Sequence, residues 1–260
     1  MQDKIKISIV TVVFNGAHTI NDAIDSVLVQ KYQNVEYIVI DGGSMDETIK
    51  IIKKHAGNIS FWVSEPDKGI YDAMNKGIGM ATGDIIGVLN SDDVYANPDV
   101  LASVAGAFKT GCDCCYSDLV YVDRGLDKVI RHWNSGEYVP GSFRKGWHPP
   151  HPTFFAKKTL YDRYGLFNTG YKIAADYEIM LRFLERYGAS VRYIPEVAVK
   201  MRVGGASNRS VSNIAKANME VRRAWVDNGL APPPFIYLRK PLSKLKQLVL
   251  PGSTNFGENC

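Results

Sequence analysis

Ile7-Ser8-Ile9-Val10-Thr11-Val12-Val13-Phe14 is a near-continuous apolar and β-branched run that closes on Asn15-Gly16. Such a run marks a strand covered on both faces, as in a parallel sheet. The next segment has a different period. Ile20, Ala23, Ile24, Val27 and Leu28 fall at helical spacing behind Thr19-x-x-Asp22, an N-cap signal. The alternation then repeats. Glu36 to Ile40 predicts a second strand ending on Asp41-Gly42-Gly43, and Ser44-x-x-Glu47 reads as a capping box opening a helix through about Lys54. A third strand near Ser60 to Ser64 leads to Glu65-Pro66-Asp67-Lys68-Gly69. Ile70, Ala73, Met74, Gly77, Ile78 and Ala81 mark one helix face, and Ile85 to Leu89 is a fourth buried strand, closing on Asn90-Ser91-Asp92-Asp93.

Strands alternating with helices at this pitch predict an α/β fold: a mostly parallel central sheet in a doubly wound arrangement, flanked by helices. Such sheets bind ligands outside the carboxyl ends of their strands. Phe14-Asn15, Asp41-Gly42-Gly43 and Asn90 to Asp93 all fall at those ends, so they should converge. The second half is less regular. Cys114 to Val122 and Lys128 to Trp133 read as strands joined by a turn, and the Gly- and Pro-rich stretch from Gly141 to Pro152 as an extended loop. A helix is expected from Asp176 to about Tyr187, then short strands at Val191 to Ile194 and Val197 to Met201, then a helix from about Val211 to Asn228. Pro232-Pro233-Pro234 ends that helix. The expected organisation is one domain over 1–231, with a nucleotide-binding half at 1–110 and an acceptor half at 111–231, followed by a C-terminal helical extension at 232–260.

At 260 residues, 45% hydrophobic and 22% charged, the chain has the composition of a globular protein, which excludes general disorder. The formal charge of +4 suits an anionic small ligand or an acidic membrane surface, and no nucleic-acid partner is expected. No run reaches the roughly 18 apolar residues of a membrane span, and Met1 to Lys6 lacks the apolar core of a signal peptide. Cys112, Cys114, Cys115 and Cys260 match neither a zinc site nor a disulfide framework, so free thiols in a reducing cytosol are expected.

Two adjacent carboxylates after a buried strand, Asp92 and Asp93, are costly to bring together unless a cation neutralises them. Mg²⁺ or Mn²⁺, bridging one or two carboxylates and substrate phosphates, is the expected cofactor. A turn or a cap before Pro98 is the structural alternative. Asp41 precedes two glycines that permit close backbone approach, and its carboxylate can accept a nucleobase imide N–H. Asp176 opens an amphipathic helix, where an aspartate also serves as an N-cap. Glu178 is placed to pair with Arg182 along that helix. His148 and His151 flank two prolines and lack the partners of a zinc site.

Val10 to Asn15, Asp41-Gly42-Gly43-Ser44-Met45-Asp46 and Asn90-Ser91-Asp92-Asp93, at their spacings, resemble the family 2 glycosyltransferases of the GT-A fold. Ser64 to Ile78 (SEPDKGIYDAMNKGI) is similar to the branch that builds bacterial surface polysaccharides, including colanic acid. The resemblance covers roughly Ile5 to Gly205. It implies an inverting, metal-dependent transfer of a sugar from a nucleoside-diphosphate sugar, UDP favoured over GDP, to a hydroxyl of a growing, lipid-linked surface glycan. By that resemblance Phe14 packs near the base, with Asn15 beside the donor, and Asp41 binds the imide. Asp93 is the principal metal ligand, with Asp92 close to the ribose, and Asp176 is the general base. Where many relatives carry an Arg this chain has Met74, ahead of Asn75-Lys76-Gly77, so Lys68 becomes the expected diphosphate contact and Asn75 a further donor residue. His151 is expected at donor or acceptor, and Arg202, in Met201 to Ser207, at the diphosphate.

Two rival classes would leave other marks. A sugar nucleotidyltransferase would carry a basic Gly-rich loop after the first strand, which Asn15-Gly16-Ala17-His18 does not supply. A degenerate nucleotide-sugar-binding protein would not need Asp41, Asp93 and Asp176 together. Leu238, Leu242, Leu245 and Val249 share a helical face with Arg239, Lys240, Lys244 and Lys246 alongside. Residues 235–250 therefore suit peripheral contact with anionic lipid at the inner face of the cytoplasmic membrane, or packing on the domain.

Overall fold

The computed structural model describes residues 5–204 and 211–234. Its first half runs β1 (Ile7–Val13), α1 (Ile20–Leu28), β2 (Val35–Asp41), α2 (Thr48–His55), β3 (Phe61–Ser64), α3 (Ile70–Met80) and β4 (Ile85–Val88). Every residue of β1 is buried. Because side chains alternate across a strand, Ile7, Ile9 and Val13 pack with Ile20, Ile24 and Val27 of α1, whereas Val10 and Val12 pack with Ala73, Met74 and Ile78 of α3. Gly77 permits the second contact, since a Cβ there would fall 2.3 Å from Val10 Cγ1.

The second half adds β5 (Asp93–Tyr95), α4 (Val100–Phe108), β6 (Cys114–Val122), β7 (Val129–Trp133), β8 (Phe155–Lys157), α5 (Lys158–Tyr164), α6 (Ala175–Leu181), β9 (Val191–Arg202) and α7 (Val211–Asp227). One mixed sheet results, in the order β3-β2-β1-β4-β8-β6-β9-β5, with β7 on the outside of β6. The pairs β3–β2, β2–β1 and β1–β4 are all parallel, so the carboxyl ends of β1, β2 and β4 open on one side. Antiparallel pairing is confined to strands of the second half and to the β4–β8 junction.

Local expectations needed correction in three places. The capping box at Ser44 does not form: α2 starts at Thr48 behind Glu47, with no side-chain cap. The helix expected to run to Tyr187 relaxes into a π-turn at Arg182–Arg186. The two short strands after it are one long strand, β9, whose register against β6 slips near Asp118.

A buried network starts at the π-turn. Arg182 donates from Nε and Nη2 to Glu178 at 3.0 and 2.5 Å, and to the carbonyls of Tyr164, Gly165 and Leu166 at 2.8 to 2.9 Å. Both side chains of the pair are buried, and Asn228 Nδ2 adds a 2.9 Å bond to Glu178. Removing one partner of a buried pair strands the other charge, at a cost of about 3–5 kcal/mol. Arg182→Ala should lose that much stability in denaturant unfolding. A loss below about 1 kcal/mol, the scale of an exposed pair, would show that the network is not holding the loop.

Candidate active site

The ends of β1 and β2 are knitted together by polar side chains. Asn15, at φ +49°, donates its N–H to Ser44 Oγ at 2.7 Å and accepts from Met45 N–H through Oδ1 at 2.9 Å. Asp41 is fully buried. Its Oδ2 accepts from the backbone of Gly43 and Ser44 and from Ser64 Oγ at 2.6 Å, and its Oδ1 from Ser44 Oγ at 2.5 Å. Asp41 thus organises the β2 turn from a buried position, at the strand end where the imide contact was expected. Asn15 braces the same turn.

A second carboxylate lies beside this turn. A Cβ added to Gly42 would fall 2.3 Å from Asp67 Oδ2 and 3.5 Å from Phe14 Cδ2. Asp67 Oδ1 accepts from Gly69 N–H at 2.7 Å, which fixes the carboxylate and leaves Oδ2 over the glycine. The Phe14 ring beside it is 61% exposed, unusual for a large apolar group at a sheet edge. An open aromatic face and a carboxylate oxygen thus meet over a residue without a side chain. The sequence hinted at this through Glu65-Pro66-Asp67, but only the fold brings Asp67 against Gly42.

At the next strand end the two aspartates separate. Asp93 begins β5, pairs with Met201 and is 1% exposed. Burial, then the neighbouring Asp92 charge, pushes its carboxyl well above the usual range. Asn90 Nδ2 donates to Asp93 Oδ2 at 3.1 Å, while Oδ1 is buried without a partner. Asp92 lies in the turn before β5 and stays partly exposed. Asp92 is the more exposed carboxylate of the two. No group of three or more His, Cys, Asp or Glu side chains is arranged to hold a metal among the described residues. A partly exposed Asp92 beside the unpartnered Asp93 Oδ1 fits Mg²⁺ or Mn²⁺, which often take only one or two protein carboxylates.

Arg202 and Asn75 both hold backbone. Arg202 is buried behind the aspartate turn, where Nη1 donates to the Asp92 carbonyl at 3.0 Å, Nε to the Arg124 carbonyl at 3.0 Å, and Nη2 pairs with Asp22. It braces the turn that carries Asp92. Asn75 clasps Phe167 through both backbone groups, at 2.8 and 2.9 Å. Lys68 is exposed just ahead of α3, its backbone N–H donating to Asp72.

Asp176 is the second residue of α6, partly exposed, and its Oδ1 accepts from Tyr177 N–H at 2.8 Å. Ala174 takes the N-cap position, so the capping account of Asp176 does not hold. The buried Tyr71, in the first turn of α3, lies against the backbone amides of Ala175 and Asp176. Phe167 stacks on Tyr71 at 5.8 Å and meets His151 edge-on at 5.6 Å. Burial pushes the His151 imidazole pKa down, and the nearby Asp176 charge partly offsets that. The start of α3 thus links the Asp67 loop to Asp176. The thiols of Cys112, Cys114 and Cys115 are free and buried, away from any chemistry. Residues 235–250 lie outside the described residues, and no described helix is long and apolar enough to cross a membrane.

A parallel β3-β2-β1-β4 half with its cleft at the strand ends, joined to a mixed second half, defines a GT-A-type glycosyltransferase fold. Residues 8–173 match the family described as glycosyl transferase family 2, and the chain belongs to that family. An uncharacterized glycosyltransferase of Mycobacterium tuberculosis is 33% identical over 186 residues, 68% of each chain. A PGL/p-HBAD biosynthesis glycosyltransferase of Mycobacterium bovis BCG is 31% identical over 208 residues, 78% of this chain and 80% of that one. Among solved structures, S. aureus TarS in complex with UDP superimposes with a TM-score of 0.65 at 19% identity. The match covers 86% of this chain and 65% of that one, so this chain spans just under two thirds of it. The mannosyltransferase PcManGT of Pyrobaculum calidifontis, in complex with GDP-Man and Mn²⁺, gives 0.61 at 19% identity, covering 97% and 77%.

Proposed function

We propose that this protein transfers a sugar, with inversion, from a nucleoside-diphosphate sugar to a hydroxyl of a growing bacterial surface glycan. The observation that carries it is the meeting of Phe14 and Asp67 over Gly42, beside the Asp92 turn. Phe14 offers a stacking face, and Asp67 Oδ2 an acceptor for an imide N–H. Uracil and guanine present that group, while cytosine and adenine present an acceptor at the equivalent edge, so UDP-sugars lead and GDP-sugars follow. Asp92 would hold a divalent ion against the diphosphate. When bound, the ion stabilises the charge that builds on the leaving phosphate oxygen. Lys68, exposed at the mouth of the same loop, is suited to the diphosphate.

Asp176 accepts the proton of the acceptor hydroxyl as that oxygen attacks the anomeric carbon on the face opposite the leaving group. His151 lies near that carboxylate and is suited to contact with a sugar, its ring backed by the buried Phe167. The neutral-leaning imidazole can donate through one nitrogen and accept through the other. A lipid-linked acceptor, with membrane contact through 235–250 on the cytoplasmic side, completes the reading.

The test is calorimetric titration of UDP, GDP, CDP and ADP with Mn²⁺ present. UDP or GDP should bind at least tenfold more tightly than CDP or ADP. Asp67→Asn should weaken the preferred nucleotide by about 10- to 100-fold, the worth of one charge-assisted bond. Equal affinity for all four nucleotides in the wild type would remove the base-reading role.

A further inference from the structure

The segment carrying Asp176 is gripped by a helix that is remote from it in sequence. Glu220, in the middle of α7, accepts from three consecutive backbone N–H groups: Lys172 through Oε1, and Ile173 and Ala174 through Oε2, each at 2.8 Å. These amides immediately precede α6, whose second residue is Asp176. None can be satisfied inside that helix, because the first amides of a helix have no partner one turn back. Around this bond α7 makes further contacts with the same segment. Arg223 Nη1 donates to the Gly170 carbonyl at 3.3 Å, Tyr171 donates its hydroxyl to Asp227 at 2.7 Å, and Trp225 Nε1 donates to the Tyr177 hydroxyl at 2.9 Å. Tyr71 of α3 meets the Ala175 and Asp176 amides of the same segment.

We infer that Glu220 is a positioning residue for Asp176, setting where the carboxylate stands relative to the donor site. The inference rests on the reading of Asp176 as the base. Its physical content is that a carboxylate spanning three successive amides fixes the path of 172–174 with charge-assisted bonds. The α6 N-terminus is then held by both α7 and Tyr71. Trp225 and Ala224 are fully buried against the core, so α7 has its own anchor and does not depend on Glu220 to stay in place. Loss of Glu220 should free the base segment while the helix stays docked.

The experiment uses the full chain, with Glu220→Ala, Glu220→Gln and Asp176→Asn. Hydrogen exchange read by mass spectrometry should show faster exchange over 172–176 in Glu220→Ala, with protection of β1 to β4 and of the second half of α7 unchanged. UDP affinity with Mn²⁺ should stay within twofold of wild type. Metal-dependent UDP release from the UDP-sugar that the wild type turns over should fall in kcat by about 10- to 100-fold, as expected for a misplaced catalytic group, with KM for the donor unchanged. Glu220→Gln, which keeps an oxygen acceptor, should restore part of the rate. Unchanged exchange over 172–176 overturns the inference. So does protection lost equally along α7, which would make Glu220 a residue of the fold alone, and so does a loss that falls on UDP affinity. Asp176→Asn separates the two levels: if it leaves UDP release intact, the base assignment fails, whatever Glu220 does to exchange.

Discussion

Asp176→Asn is expected to lower the rate of sugar transfer by about 10²- to 10⁴-fold, the range for removing a positioned general base, while leaving donor affinity unchanged. Asparagine keeps the shape of the side chain and can still accept from Tyr177 N–H, so the fold has no reason to respond. It cannot take a proton from an attacking hydroxyl. The neighbours limit what else could substitute. Burial disfavours the protonated form of His151, and Tyr71 is held far above its ordinary pKa by burial and the Asp176 charge. Steady-state kinetics with the donor varied should show the whole loss in kcat. A loss in donor KM would instead place Asp176 on the nucleotide side of the cleft.

The second large effect divides the aspartate pair. Asp92→Asn should weaken UDP binding in the presence of Mn²⁺ by at least about tenfold, since one protein carboxylate shares the ion with the phosphates. In EDTA the same variant should bind UDP as the wild type does. Asp93→Asn should leave Mn²⁺-dependent UDP binding near wild type. Its side chain is buried and takes a hydrogen bond from Asn90 Nδ2, which an isosteric amide can still accept. Calorimetry with and without metal measures all three. If Asp93→Asn abolishes the metal effect and Asp92→Asn does not, the assignment of the accessible carboxylate is wrong and the turn must rearrange around the ion.

Ile7 to Phe14 announced β1 because its composition has only one stable setting, between two apolar layers. The same logic gave β2, β4 and the faces of α1 and α3. It failed where partners are remote in sequence. The three-residue strand β5 carries too little pattern to read, and Thr153 to Phe155 shows only the entry to β8; both exist because β9, β4 and β6 supply their hydrogen bonds. The Ser44 capping box matched a true helix signal. The Ser44 hydroxyl is taken up elsewhere, donating to Asp41 Oδ1 at 2.5 Å and accepting from Asn15 N–H at 2.7 Å.

The site divides in the same way. By itself the sequence determined that carboxylates gather at the ends of parallel strands, because alternating strand and helix patterns leave only those ends open to a ligand. It determined the class of protein through motifs whose order and spacing are local. Which carboxylates stay exposed was decided only by the tertiary structure. Asp41 and Asp93 stand in the motifs yet are buried, Asp41 within its own turn and Asp93 at the start of β5 against β9. Asp67 and Asp92 stay partly exposed. Exposure and hydrogen-bond partners depend on chain segments brought together from far apart, such as Asp67 over Gly42 and Glu220 beneath the residues before Asp176. No local pattern encodes those meetings.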